Sequence, residues 1–132
     1  MNKKRGLAAH IRLGRRGERA AVRLLRSKGC DILARDWKRG AGELDIVARD
    51  GLMLVFVEVK SRRATATAAP AENLSPGQIR RIRLGAMKYL AQFGTAAQPH
   101  RFDLIEVKLT PWRISEIYHH EYCYRQRKRT KI

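Results

Sequence analysis

The sequence predicts a single α/β domain in the order helix, three strands, helix, strand, with a short terminal segment. Three observations predict it. Ala20, Ala21, Leu24 and Leu25 recur at helical spacing and stop at Gly29. Two strand-like segments flank Asp50-Gly51, a pair that favours the tight turn of a hairpin. Ser75-Pro76-Gly77-Gln78 combines a cap, a proline suited to the first helical position and the glutamine of a capping box.

The elements follow in chain order. Residues 1–13 read as a basic N-terminal arm and residues 14–28 as the first helix. Residues 31–38 alternate Ile32, Ala34 and Asp36 against Leu33, Arg35 and Trp37, a strand pattern broken by Gly40-Ala41-Gly42. Residues 43–49 and 52–60 form the hairpin. Residues 61–73, rich in Ala and Thr and carrying Pro70, read as a loop. The second helix lines up Ile79, Ile82, Ala86, Tyr89, Leu90 and Phe93 on one face and ends at Gly94. Residues 101–109, with Phe102, Leu104 and Ile105, read as a strand, and residues 112–118 as a last short one. The folded domain is thus expected over residues 14–118, followed by a basic tail over 119–132.

Composition bounds the function. The chain has 132 residues, with 29 Lys plus Arg against 12 Asp plus Glu, a net charge of +17. That charge suits a polyanion. A hydrophobic content of 44% supplies one core and argues against disorder. The longest apolar run, residues 52–57, is too short to span a bilayer. The basic N-terminus lacks the apolar segment of a secretion signal, so a cytoplasmic protein with no membrane partner is expected. Cys30 and Cys123 make neither a disulfide scaffold nor a zinc site. Cys30 reads as a small buried hydrophobe, and His119-His120 as ordinary surface or packing residues. Ser61 has no evident base partner, so nothing points to nucleophilic catalysis.

The charge is uneven. Residues 31–58 hold six acids (Asp31, Asp36, Glu43, Asp45, Asp50, Glu58) and four bases, a net −2 that leaves +19 for the remainder. Acids near phosphate cost Coulomb energy, so their concentration in a basic protein needs a reason. With Asp50-Gly51 as the two turn residues, Arg49 pairs with Leu52, Asp45 lies opposite Phe56 and Glu43 opposite Glu58. Alternation then puts Glu43, Asp45, Glu58 and Lys60 on one face, and Leu44, Ile46, Ala48, Met53, Val55, Val57 and Val59 on a core face. Asp45 lies diagonally from Glu58, roughly 7–8 Å between backbones, within reach of one ion. Spacing leaves two readings open: a divalent-cation site with Lys60 beside it, or a solvated face on which Lys60 pairs with Glu58.

Asp45, then Glu58-Val59-Lys60 thirteen residues on, resembles the PD-(D/E)XK pattern of restriction-endonuclease-like nucleases, with Leu44 standing where the proline would be. Five stretches extend the likeness: residues 14–21, Gly42-Glu43-Leu44-Asp45 through Gly51, Phe56 through Arg62, the later helix Gln78 to Leu90 with Arg80-Arg81, and Arg101-Phe102-Asp103. Over residues 14–110 the chain looks like the YraN-like family, small bacterial proteins similar to archaeal Holliday-junction resolvases.

The resemblance implies a restriction-endonuclease-like core with a mixed central sheet. It implies Asp45 and Glu58 as metal ligands, joined by Glu18 from the first helix and the Val59 backbone carbonyl, with Lys60 as the catalytic lysine. Glu43 is an extra acid that can hold water or a second metal, or pair with Arg39. The implied function is a Mg²⁺- or Mn²⁺-dependent endonuclease acting on duplex or branched DNA, as a homodimer. Arg62, Arg63, Arg80, Arg81 and Arg83 are its expected phosphate contacts. The alternative is a non-catalytic nucleic-acid-binding protein on the same fold. A basic ribonucleoprotein component gives no reason for acids beside Lys60.

Overall fold

The computed structural model describes residues 3–65, 74–94 and 97–121. Helix α1 (Lys3–Ser27) begins well before its expected start, so residues 3–13 are its first turns and not a separate arm. Ala, Leu, Lys and Arg dominate that stretch, all strong helix formers, and Leu13 already packs on the core. Gly29 closes the helix in the left-handed conformation, at φ 86°.

Five strands follow the order of the chain: β1 (Asp31–Arg39), β2 (Gly42–Asp50), β3 (Met53–Arg63), β4 (His100–Leu109) and β5 (Ile114–His120). They lie in one sheet in the order β1-β2-β3-β4-β5. β3 and β4 run parallel, and the other neighbours are antiparallel. The parallel step requires a crossover. It is made by α2 (Pro76–Phe93), which carries the expected capping box at Ser75 and Gln78. Over the described residues the chain is therefore a mixed α/β protein with a five-stranded mixed sheet and two helices.

Several boundaries differ from the sequence reading. The hairpin turns at Gly51-Leu52, with Asp50 paired to Met53, so each partner moves by two residues. Gly51 supplies the positive φ, 61°. β3 continues through Arg63, where a loop was expected, because β4 pairs with it as far as Leu109. β5 absorbs His119 and His120 from the expected tail. Phe93, expected on the buried face of α2, is largely exposed at the helix end. Cys123, Pro70 and the basic residues 125–131 lie outside the described residues.

The sheet is buried on both faces, not one. Along β3, Val55 and Val57 point into a layer with Ala21 and Leu25 of α1. Leu54 and Phe56 point into a second layer with Ile82, Ala86 and Tyr89 of α2. Phe56 is fully buried and meets Tyr89 edge-on at 5.9 Å and Phe102 at 5.6 Å between ring centres. Such two-sided burial is what an unbroken apolar run in a strand implies.

Glycines set how closely the helices approach. A Cβ on Gly17 would overlap the buried Ser61 hydroxyl, so the Ser61 side chain of β3 fills the space that a side chain on α1 would need. On the other face, a Cβ on Gly42 would lie 2.7 Å from the Gly85 backbone of α2. Backbone cannot rotate away as a side chain can. Gly42→Ala is therefore expected to lower stability by about 1–3 kcal/mol. Gly14→Ala, with nothing within 4 Å of its added methyl, is expected to raise stability by up to about 1 kcal/mol through helix propensity. Chemical denaturation of the two variants checks both signs, and an unchanged Gly42→Ala midpoint would contradict the close packing.

Candidate metal centre

β1 carries one register shift between Ile32 and Ala34, and strict alternation fails again in both β1 and β2 where the acids gather. On β2, Ile46 and Ala48 face the α1 layer, whereas Leu44 and Val47, three residues apart, both belong to the α2 layer. On β1, Ala34 and Trp37 likewise share the α2 layer at a spacing of three. Between the paired positions Arg35–Ile46 and Trp37–Leu44 stand Asp36 and Asp45. Asp36 has φ 47°, a left-handed conformation that aspartate tolerates better than most residues. The two strands turn over together at this pair, which releases both carboxylates from the pleat.

Helix α1 completes the set. Gly17 seats the helix against Ser61 of β3, and the next residue is Glu18. Oxygen atoms of Glu18, Asp36 and Asp45 all lie within 4.8 Å of one another. Three carboxylate oxygens at that separation match the span across a small hard cation with ligand distances of about 2.0–2.6 Å. The donor set is all oxygen, which suits Mg²⁺ or Mn²⁺ and not a softer metal.

β3 supplies the neighbouring groups. The β2–β3 ladder ends at Ile46–Val57, and just beyond it the Val59 amide donates to Asp45 Oδ2 at 2.8 Å. Of Val59, the amide is thus the group that meets Asp45. Glu58 is close enough to Asp45 for the two carboxyls to share a proton. Desolvation raises the Asp45 pKa against the pull of the Val59 and Glu58 hydrogen bonds. Glu58 is pushed up to about 9, by desolvation first and the Asp45 charge second, with Lys60 acting in the opposite sense. Glu18 rises to about 7, through desolvation and the charges of Asp36 and Asp45. Carboxyls that keep their protons to higher pH than usual mark a crowded negative site that a cation would also relieve.

The structure thus brings Glu18, Asp45, Glu58 and Lys60 into one neighbourhood. Glu43 is exposed at the start of β2 and adds to the negative field on Asp45 and Glu58. Its expected partner Arg39 instead donates to Gln92 Oε1. Arg62 and Arg63 end β3 beyond Lys60, while Arg80, Arg81 and Arg83 are exposed on α2, across the sheet from α1. Sequence reasoning missed Asp36. The available signal was an aspartate, poorly suited to a strand interior, within the acid-rich segment.

A second polar cluster lies at the other end of the sheet. Arg101 donates to Asp103 Oδ1 at 3.1 Å, and His119 Nε2 lies 2.7 Å from the fully buried Asp103. Lys28 Nζ is 2.7 Å from His119 Nδ1, so His119 donates to Asp103 and accepts from Lys28. His120 Nε2 lies 2.9 Å from Glu106. Both histidines are thus paired with acids of β4 and pin β5 to the sheet. Cys30 is buried, as expected.

The raised carboxyl pKa values set a pH dependence. A carboxyl whose folded pKa exceeds its unfolded value keeps its proton longer when folded, so stability falls as pH rises. The loss runs from the ordinary value of 4.5 up to about 7 for Glu18 and about 9 for Glu58. The metal-free protein is expected to melt progressively lower from pH 5 to pH 9. Mn²⁺ should restore the melting temperature more at pH 8.5 than at pH 6, and Glu58→Gln should flatten the upper part of the metal-free profile. Thermal melts across that range check this, and a melting temperature that rises with pH would contradict it.

Comparison with known proteins adds the lineage. Residues 17–107 match the profile of an uncharacterised protein family, UPF0102. A UPF0102 protein of Symbiobacterium thermophilum is 42% identical over 100 residues, covering 76% of this chain and 85% of its own. One from Nocardia farcinica is 43% identical over 99 residues, covering 75% and 78%. One from Pelotomaculum thermopropionicum is 44% identical over 95 residues, covering 72% and 79%.

Proposed function

We propose that this chain, which belongs to the uncharacterised UPF0102 family, is a metal-dependent endonuclease of the restriction-endonuclease-like PD-(D/E)XK type, hydrolysing DNA phosphodiester bonds. One observation carries the proposal. Carboxylates from α1, β1 and β2 converge within 4.8 Å in a protein of net charge +17, with Glu58 and Lys60 of β3 alongside. A purely phosphate-binding protein gains nothing from such a cluster, which repels phosphate.

The residues divide the work. Glu18, Asp36 and Asp45 would hold Mg²⁺ or Mn²⁺, with Glu58 and the Val59 carbonyl as further oxygens. Such an ion supplies an acidified water and charge neutralisation at the phosphate. The Val59 amide holds one Asp45 oxygen and so fixes the carboxylate's orientation. Lys60, whose charge acts on Glu58, offers a donor for the attacking water or a phosphate oxygen. Arg62 and Arg63, next on the strand, take flanking phosphates, and Arg80, Arg81 and Arg83 provide a second basic surface. Contacts to the backbone carry no base code, so selection is by DNA shape, including branched forms. Two cuts in two strands call for two copies of the chain, hence a homodimer.

The test is cleavage of duplex, single-stranded and branched DNA with Mg²⁺ or Mn²⁺. Asp45→Asn and Lys60→Met are each expected to reduce cleavage by about 100-fold or more, and chelation to abolish it. Cleavage that persists in both variants would place the chemistry elsewhere. Binding without cleavage in either metal would support the non-catalytic alternative.

A further inference from the structure

The basic residues of α1 are arranged, not scattered. Arg12, Arg16, Arg19 and Arg23 follow at steps of four, three and four, and so form one stripe along the helix. At about 1.5 Å per residue the stripe is about 16 Å long. It borders a groove between α1 and the β4–β5 turn. Arg16 Nη2 crosses that groove to the Thr110 carbonyl at 2.8 Å. On one side of the bridge lies a cavity of about 690 Å³ lined by Arg12, Leu13, Arg63, Leu109 and Pro111 among others. On the other side lies one of about 260 Å³ that reaches Arg19, Arg23 and Trp112.

Trp112 is 92% exposed. The turn that carries it is well tied down. The Thr110 hydroxyl accepts from the amides of Trp112 and Arg113, at 3.3 and 3.0 Å, and the Thr110 amide donates to the Arg113 carbonyl at 2.8 Å. The exposed indole therefore stands at the mouth of the smaller cavity on a turn fixed by three hydrogen bonds, with an open π-face on which a flat ring can stack. Six arginines (Arg12, Arg16, Arg19, Arg23, Arg63 and Arg113) lining the groove beside an exposed aromatic are the groups that recognise an unpaired strand. Phosphates meet the guanidinium groups and a base stacks on the ring. Glu18 lies on the opposite flank of α1, against β1 and β2, so this groove is separate from the carboxylate cluster. Trp112 also falls outside the span shared with the family profile.

We propose that the groove between α1 and residues 110–114 binds unpaired nucleotides of a nucleic acid, with Trp112 as the stacking platform and Arg12, Arg19 and Arg23 on the backbone. This rests on the nucleic-acid partner of the proposed function but not on catalysis. The chain then grips a single-stranded arm on one flank of α1 while the carboxylates face DNA on the other.

The experiment measures binding of labelled oligo(dT) and of a blunt duplex by fluorescence anisotropy in EDTA. Trp112→Ala should weaken oligo(dT) binding by about fivefold to a hundredfold, with Trp112→Phe close to wild type and duplex binding little changed. Arg12→Gln with Arg23→Gln should reduce the slope of log affinity against log salt for oligo(dT) by about 1.4. Unchanged oligo(dT) affinity in Trp112→Ala would overturn the proposal. So would equal losses for duplex and single strand, equal competition by poly-glutamate or anionic vesicles, or a dimer that falls apart in Trp112→Ala. Trp112-dependent binding without cleavage would overturn the nuclease reading alone. Cleavage with no Trp112 dependence would overturn this one alone.

Discussion

Carboxyl groups repel, and here Glu18, Asp36, Asp45 and Glu58 are held together in a partly desolvated space. Much of the architecture follows from that constraint. The acids come from four different elements, so the arrangement exists only when the whole sheet and α1 are assembled. Protons relieve the repulsion in the metal-free protein, as the raised pKa values of Glu18, Asp45 and Glu58 indicate. A divalent cation bound there would relieve it more completely, since one ion meets several carboxylates at once.

The rest of the fold holds this cluster in place. Two apolar layers clamp the sheet from both sides, with Phe56 and Leu25 fully buried in opposite layers. Gly17 lets α1 approach β3 and thereby brings Glu18 to the acids, while Gly42 and Gly85 let α2 press on the start of β2. The left-handed turn at Asp36 is a local strain that the surrounding packing sustains, in keeping with the tendency of such strain to occur at functional sites. The charge of the chain is divided in the same sense. The acid-rich hairpin region carries −2 and everything else +19. In the proposed function the basic exterior would attract a polyanion, and the acidic seam would set where an ion meets it.

Much of this was legible in the residues. Helix ends at Gly29 and Ser75, the hairpin around Asp50-Gly51 and the order of elements were all written in capping and turn chemistry. The register was off by two because the turn forms at Gly51-Leu52, and an even shift kept the faces readable. The second buried face was implied by the unbroken run of residues 52–57, which alternation alone hid. Residues 3–13 lack a dense apolar stripe, so their helix was invisible to periodicity. Asp36 escaped because period-two reasoning assigns each side chain a face, and this residue stands where the pleat breaks. Such a break depends on tertiary packing that no local pattern encodes.

The central claim is that these carboxylates form a cation site that competes with protons. Calorimetric titration of the metal-free protein with Mn²⁺ at pH 7, in two buffers of different ionisation enthalpy, tests it most directly. Saturable binding should release protons and disappear in Asp45→Asn. No binding, or binding that neither releases protons nor responds to Asp45→Asn, would contradict it.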